Sequence, residues 1–483
     1  MQALAFPTVK YLYLAPELLL TGVAILVLLL DLFVWRGRSR ILAGVSVAGL
    51  LGAMLLLVPL MNVRGSTLYG SMIVDPLAIF FKFFILLTTV LIVVLSTDYM
   101  EKMSKVAVGE FYTLILFATV GAMFMASTAD LVMIYIALEL TSLSCYVCAG
   151  YRKHDAKSNE SILKYFLLGL LASAMMLYGF SLIYGFTGHT QLADIARTLS
   201  GQPTQLAVVA GIVFALAGFI FKVGSVPLHQ WIPDVYEGAP TPVTAFLAVA
   251  PKAAALAALM RILMIGFPIH AFTQYWHFLF IVLSIGSMFL GNLLAIQQTN
   301  IKRMLGYSSI AHAGYIIMAF GVGSQLALQG ILIYIGAYAF ITVGAFAVVI
   351  ALSDVSEGDD IVDYDGLSKR SPFLAAAMAV FMLALAGLPP TAGLWGKYQV
   401  FYAAVAQDLW WLALIGLINS VISLYYYFNV VRHIYLLKPI EEQELSIPPL
   451  FKTVVWVTLA GTLLLGVYPQ YLFKAATEAV KVF

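Results

Sequence analysis

The chain is a succession of apolar runs, each close to the length that crosses a bilayer. Breaks at charged or Pro/Gly-rich stretches divide it into fourteen, at about 11–34, 41–62, 73–98, 110–127, 130–150, 161–186, 205–231, 241–266, 272–296, 304–321, 327–352, 372–408, 409–436 and 453–473. A helix needs about 20 apolar residues to span the hydrocarbon core. With 62% hydrophobic and only 10% charged residues among 483, a water-soluble chain would precipitate. The expected fold is therefore an all-α integral membrane protein of about fourteen transmembrane helices, in one membrane domain. The first run carries Glu17 and Asp31, is too long for a signal-peptide core and has no small-x-small cleavage site after it, so it reads as a retained helix. The net charge of +2, without a basic patch, gives no footprint for nucleic acid.

Lysine and arginine test the helix count. Of 26 such residues, 15 fall in the loops after odd-numbered helices, among them Arg36 and Lys105, and 6 on the opposite face, with Arg261 counted there. Positive charge gathers on the cytoplasmic side, so both termini are expected outside. The remaining five are Lys82, Lys164, Lys222, Lys252 and Lys397, all within helices. Arginine stays protonated in a protein, whereas a buried lysine can release its proton. Internal cations that are all lysines fit proton handling.

An ionisable residue at mid-membrane costs about 2.5–3.5 kcal/mol on insertion scales, so several in one bundle require partners or water. The central candidates are Glu139 in YIALELTSL, Lys222 in FIFKVGSVP, Lys252 in AVAPKAAAL, His312 in SSIAHAGYI and Lys397 in AGLWGKYQV. Glu139 reads as the only carboxylate deep in the core and the natural partner of a lysine. Lys164 lies about one turn inside the sixth helix, where snorkelling and channel lining explain it equally well. Lys82 follows Asp75 by seven residues in one helix and reads as structural.

Two helices carry internal breaks. The seventh contains Gly224 and Pro227; the twelfth reads LALAGLPPTAGLWGKYQVF, with Gly387, Pro389 and Pro390. Pro251, just before Lys252, suggests a third local disruption. Proline removes a backbone donor and glycine weakens a helix, so the freed groups must meet protein or water. Broken helices at mid-membrane mark ion or substrate sites in transporters. These two are five helices apart. A five-helix repeat covering helices 4–8 and 9–13 would therefore be inverted, with 110–266 as the first copy and 272–436 as the second, flanked by 1–109 and 450–483.

Other chemistry is thin. There is no phosphate-binding glycine loop, no dinucleotide fingerprint, no HExxH and no haem-attachment motif. Cys145 and Cys148 form a lone C-x-x-C on one helix face, read as two small packing residues. The acidic stretch SDVSEGDDIVDYDG lacks EF-hand spacing and reads as a solvated loop. No metal or cofactor site is expected, and nothing in the chain carries electrons or hydrolyses ATP.

Three long motifs carry a family resemblance. QTNIKRMLGYSSIAHAGY (298–315), FKVGSVPLHQWIPDVYEGAPTPVTAFLAVAPKAAAL (221–256) and LAGLPPTAGLWGKYQVF (385–401) resemble the antiporter-like membrane subunits of respiratory complex I, the NADH-quinone oxidoreductase. The resemblance covers essentially the whole chain. It implies a subunit of a proton-translocating enzyme, with proton transfer from a Glu139–Lys222 pair to Lys252, past His312 to Lys397, and out. Lys164 and His229 would be further polar points on that path. NADH, FMN, iron–sulfur clusters and quinone would belong to partner subunits, and the other membrane-arm subunits, including antiporter-like siblings, would be its neighbours in the bilayer. The chain ends soon after helix 14, without the long lateral helix of the largest sibling, and Lys397 stands where the middle sibling usually has glutamate. Alternatives are that middle sibling and an Mrp-type cation/proton antiporter subunit.

Overall fold

The computed structural model describes residues 9–34, 38–103, 107–200, 206–267, 270–356, 358–439, 445 and 447–483; Arg36 and Lys105 of the topology count lie outside them. The described chain is almost entirely helical. In order the helices are α1 (Tyr11–Phe33), α2 (Ser39–Leu57), α3 (Pro76–Lys102), α4 (Val108–Ser127), α5 (Leu131–Ala149), α6 (Ala156–Thr187), α7 (Leu192–Leu199), α8 (Leu206–Val223), α9 (Trp231–Gly238), α10 (Thr241–Arg261), α11 (His270–Ile296), α12 (Ile301–Val322), α13 (Gln325–Ser356), α14 (Leu367–Arg370), α15 (Pro372–Ala386), α16 (Ala392–Ala406), α17 (Trp410–Leu436), α18 (Pro449–Val467) and α19 (Gln470–Val480). A two-stranded antiparallel hairpin, β1 (Gly65–Thr67) and β2 (Met72–Val74), precedes α3, with Gly65 opposite Val74.

Among the described residues, thirteen helices are long and apolar enough to cross a membrane. The broken pair α15 and α16 supplies the fourteenth crossing of the sequence reading. The hairpin, the amphipathic α7, α9, α14 and the terminal α19 lie largely outside the expected runs. All are short and mix polar with apolar residues, so hydropathy passes over them.

Side chains of the chain itself set many helix starts. Asp75 accepts from Ala78 N at 2.8 Å, Asp130 from Val132 N and Met133 N at 3.0 and 3.1 Å, Asp155 from Lys157 N at 2.8 Å and Asn300 from Arg303 N at 3.0 Å. Each satisfies an amide that the first helical turn leaves without a partner.

Burial sorts the helices into an inner and an outer set. The whole best apolar window of the α10 crossing lies inside the protein, as does 94% of those of α12 and α13. The same share is only 33% for α1 and α18 and 39% for α2 and α6. Outer helices turn leucine and aromatic faces outward, as lipid or a neighbouring apolar surface requires. Packing neighbours recur at an offset of five crossings: α4 with α5, α5 with α6, α6 with α8 and α9, and α4 with α10 are matched by α11 with α12, α12 with α13, α13 with α15 and α16, and α11 with α17.

The structure corrects one expected break. α10 runs uninterrupted from Thr241 to Arg261 through Pro251. A proline deletes one helical hydrogen bond and crowds the preceding turn, but it does not end a helix whose every residue is enclosed by neighbours.

Candidate functional site

Both expected breaks in the seventh and twelfth crossings are present and are built alike. α8 stops at Val223; Gly224 takes φ 81°, its N–H reaching Ile220 O at 2.9 Å and Phe221 O at 3.1 Å, while Ser225 N reaches Ile220 O at 3.0 Å. α15 stops at Ala386; Gly387 takes φ 88°, its N–H reaching Leu383 O at 3.1 Å and Ala384 O at 3.0 Å, while Leu388 N reaches Leu383 O at 3.0 Å. This is the left-handed glycine cap of a helix C-terminus, set inside an apolar crossing. Pro227, Pro389 and Pro390 then keep the chain from re-entering a helix until α9 and α16.

The breaks release carbonyls, and named side chains take them. Trp231 Nε1 donates to Phe221 O at 3.0 Å, and Lys397 Nζ donates to Ala386 O at 3.0 Å. Each glycine also makes room for a lysine. A methyl group on Gly224 would stand 3.5 Å from Lys252 Nζ and 2.0 Å from Ile232 Cδ1. One on Gly387 would stand 2.9 Å from Lys397 Cδ and 3.6 Å from its Nζ.

Lys222, Lys252, His312 and Lys397 are at most 5% exposed. Lys252 Nζ donates to Ser309 Oγ at 2.6 Å, and Ser309 also accepts from Tyr338 OH at 3.0 Å. One turn further along α12, His312 Nδ1 lies 2.6 Å from Tyr334 OH and Nε2 3.0 Å from Tyr427 OH. The imidazole also packs against Tyr338, with ring centroids 5.2 Å apart. Tyr427 continues to Ser308. Lys397 Nζ sits 4.8 Å from the centroid of Tyr315, whose ring lies 6.0 Å from that of His312. Lys252, His312 and Lys397 are thus gathered around one line of hydroxyls and tyrosine rings drawn from α12, α13 and α17. Histidine and hydroxyl groups can each donate and accept; ring contacts, not hydrogen bonds, join Tyr338 to His312 and Tyr315 to Lys397.

Lys222 stands slightly apart. It donates to Ser142 Oγ at 3.1 Å and to Tyr165 OH at 3.2 Å, and lies 5.5 and 6.0 Å from the ring centroids of Tyr165 and Tyr146. It does not meet Glu139. The Glu139 carboxylate accepts from Ser173 Oγ instead, is half-buried, and forms no ion pair with Lys222. A serine on one helix and a tyrosine on another occupy the contacts that the direct pair would use.

Several further placements differ from the sequence reading. The deepest carboxylate is Glu17, fully buried, and its oxygen lies 2.5 Å from Lys82 Nζ. Lys82 is therefore paired with α1; its neighbour in sequence, Asp75, is taken by Arg261 through two contacts at 2.9 and 2.7 Å. Arg261 also donates to Ala126 O at 3.2 Å and is wholly buried, so it is no loop cation. Charge counting cannot tell a helix-end arginine in water from one turned inward to a carboxylate. Lys164 is held by Glu160 at 2.5 Å and Asp234 at 2.6 Å, and Asp234 and Glu237 in turn take Arg303 at 2.5 and 3.1 Å. It is part of an ion cluster joining α6, α9 and α12. His229 is half-buried in the 224–230 connection and its Nδ1 has no hydrogen-bond partner. It makes no contact with the tyrosine line. Cys145 and Cys148 are free and buried.

The hydroxyl partners Ser142, Tyr165, Ser173, Ser309, Tyr334, Tyr338 and Tyr427 were not singled out from sequence. Ser309 lies within the SSIAH motif, three residues before His312, and was the one within reach of motif reading. The others are single hydroxyl residues in apolar helices, and no local spacing marks them.

Comparison with known proteins agrees with this architecture. Residues 128–423 match the family described as NADH:quinone oxidoreductase/Mrp antiporter, TM. The chain is 42% identical to NADH-quinone oxidoreductase subunit N of Trichlorobacter lovleyi, over 99% of this chain and 98% of that one. A chain in the structure of respiratory complex I from Thermus thermophilus with bound aureothin superposes with a TM-score of 0.81 at 32% identity, covering 95% of this chain and 98% of that one. The Mrp complex from Dietzia sp. DQ12-45-1b contains a chain with the same fold, at a TM-score of 0.86 and 19% identity over 97% of each. By sequence and by fold, the chain belongs to the NADH:quinone oxidoreductase/Mrp antiporter membrane family, alongside the subunit N proteins.

Proposed function

We propose that this chain is a proton-translocating membrane-arm subunit of an NADH:quinone oxidoreductase. The observation that carries the reading is the buried line Lys252–Ser309–Tyr338, His312 with Tyr334 and Tyr427, and Lys397 at the second break. Lys252 beside the first break and Lys397 beside the second, with His312 and several hydroxyls between them, supply sites for a proton and support a route from one to the other. Repetition of the break and of the neighbour pattern supports reading 110–266 and 272–436 as inverted repeats, each contributing one half of the route. The chain holds no electron carrier in this reading; redox cofactors and quinone belong to partner subunits. It lies in a bacterial inner membrane with both termini outside.

In this account the proton is taken up on the cytoplasmic side and held at Lys222. Approach of the Glu139 carboxylate to within about 4–6 Å would favour the charged ammonium, and withdrawal would favour release. Two cations on neighbouring lysines repel, so charge on Lys222 drives the proton of the Lys252 ammonium, held by Ser309, outward toward Lys397. The neutral amine left at Lys252 then takes the proton released by Lys222. Lys164 serves the cluster that fixes α9, on the uptake side.

The test is Lys252→Met in the intact complex, with protons moved per quinone reduced measured in sealed vesicles. Loss of at least about ten-fold is expected, the size of effect that follows from removing a positioned proton-transfer group. Wild-type pumping in the Met variant would sink the assignment.

A further inference from the structure

The Glu139–Lys222 separation has a structural cause. The nearest groups to the Lys222 ammonium are neutral: Ser142 on α5 and Tyr165 on α6. The group holding Glu139 is Ser173, also on α6. Tyr165 and Ser173 are eight residues apart, so their backbone positions on α6 lie about 12 Å apart along its axis. One helix thus takes the cation at one level and the carboxylate at another.

Tyr165 is itself fixed to the broken helix. Its ring is fully buried, stacks on Trp231 of α9 with centroids 4.4 Å apart and planes 15° apart, and meets Tyr146 edge-on at 4.6 Å. Trp231 holds the carbonyl that the break frees, at Phe221. The residue before Tyr165 is Lys164, which binds Asp234 of the same α9, and Asp234 also binds Arg303 of α12. Ser309, six residues beyond Arg303, holds Lys252. The position of the Tyr165 hydroxyl is therefore tied to α9 and α12, the elements that border the next lysine on the route.

We propose that Tyr165 is a positioning residue that holds Lys222 away from Glu139, its hydroxyl taking the ammonium in place of the carboxylate. This rests on the proton-translocation reading. A phenol suits the task because it accepts from an ammonium and donates to an amine, so Lys222 stays held in either protonation state. A shift of α6 against α5 and α9 removes the hydroxyl and delivers the carboxylate. The ion cluster at Lys164, Asp234 and Arg303 makes that shift sensitive to where α12 stands.

The test is Tyr165→Phe in the full complex, which keeps the stack on Trp231 and removes only the hydroxyl. Three quantities are compared with wild type: assembled complex per membrane, protons moved per quinone reduced, and the infrared carboxylate band assigned to Glu139 by its loss in Glu139→Gln. Expected are normal assembly, about a ten-fold fall in pumping, the size of effect for a hydrogen bond to a charged group, and a displaced Glu139 band as the carboxylate closes on Lys222. Normal pumping with an unmoved band overturns the inference. So does failure to assemble, since with the ring retained it makes the hydroxyl a packing element. Lys222→Met, run in parallel, separates the two levels of argument: if it pumps normally the functional reading fails, and if it alone is defective only the role of Tyr165 fails.

Discussion

At the residue scale, the two break glycines are tightly constrained positions in the proposed route. Gly224 and Gly387 both hold positive φ, and each lies against a lysine of that route. An alanine in the left-handed region costs roughly 1–2 kcal/mol. At Gly387 the added methyl would also press on Lys397 Cδ at 2.9 Å. Gly387→Ala is expected to leave the complex assembled but to lower proton pumping several-fold, measured per assembled complex. A variant equal to wild type in pumping would show that the glycine serves only the turn. Lysines, histidine and breaks were legible in the sequence because a charge or a proline in an apolar run is costly and stands out. Their partners were not. Tyr334 and Tyr338 differ from dozens of other hydroxyl residues only by which helices fold against them, and that is tertiary information. The Glu139–Lys222 pairing failed for the same reason: nothing in the chain reveals that Ser173 and Tyr165 occupy the two groups first.

At the element scale, the connection after α13 is strapped to the start of α12. Ile301 N donates to Asp359 O at 2.8 Å, Ile361 N to Thr299 O at 2.7 Å, and the Asp359 carboxylate lies 2.7 Å from Lys302 Nζ. The acidic loop read as merely solvated therefore contains a half-buried anchor, invisible to spacing rules because its partner is more than fifty residues away. Burial pushes the Asp359 carboxyl upward, but Lys302 outweighs it and holds it below the usual carboxylate range. A group whose folded value lies below its unfolded value, about 3.9 for aspartate, stabilises the fold above that value. The contribution is lost as pH falls through the folded value. Cutting of the loop by an acid-active protease is expected to rise steeply below about pH 4. Asp359→Asn should be cut at the same rate across that range, and a retained acid threshold in the variant would assign the effect to another group. Hydropathy located the crossings themselves well, since length and composition decide them. It joined α15 to α16 as one broken crossing and placed the break after α8, yet ended that crossing at 231 and passed over α7, α9, α19 and the hairpin, whose apolar faces are too short to register.

At the scale of the whole molecule, two buried ion pairs tie the periphery to the centre. Glu17 on α1 meets Lys82 on α3, and Asp75 at the start of α3 meets Arg261 at the end of α10. Little of α1 and α2 is enclosed, whereas α10 is enclosed completely. Apolar burial alone cannot discriminate helix positions against lipid, because lipid tails are as apolar as leucine; polar contacts and close packing must do so. The pairs therefore fix where the three-helix unit α1–α3 sits on the bundle. Removing one partner leaves the other buried and uncompensated, at a cost of about 3–5 kcal/mol. Glu17→Gln is accordingly expected to lower the thermal unfolding temperature of the purified complex while pumping per surviving complex stays at wild type. Replacing both partners together, Glu17→Leu with Lys82→Met, should recover most of the loss, because an apolar pair of similar volume carries no stranded charge. If pumping falls in step with assembly in the single variant and the double variant does not recover, Lys82 is a member of the proton route and not a fastening.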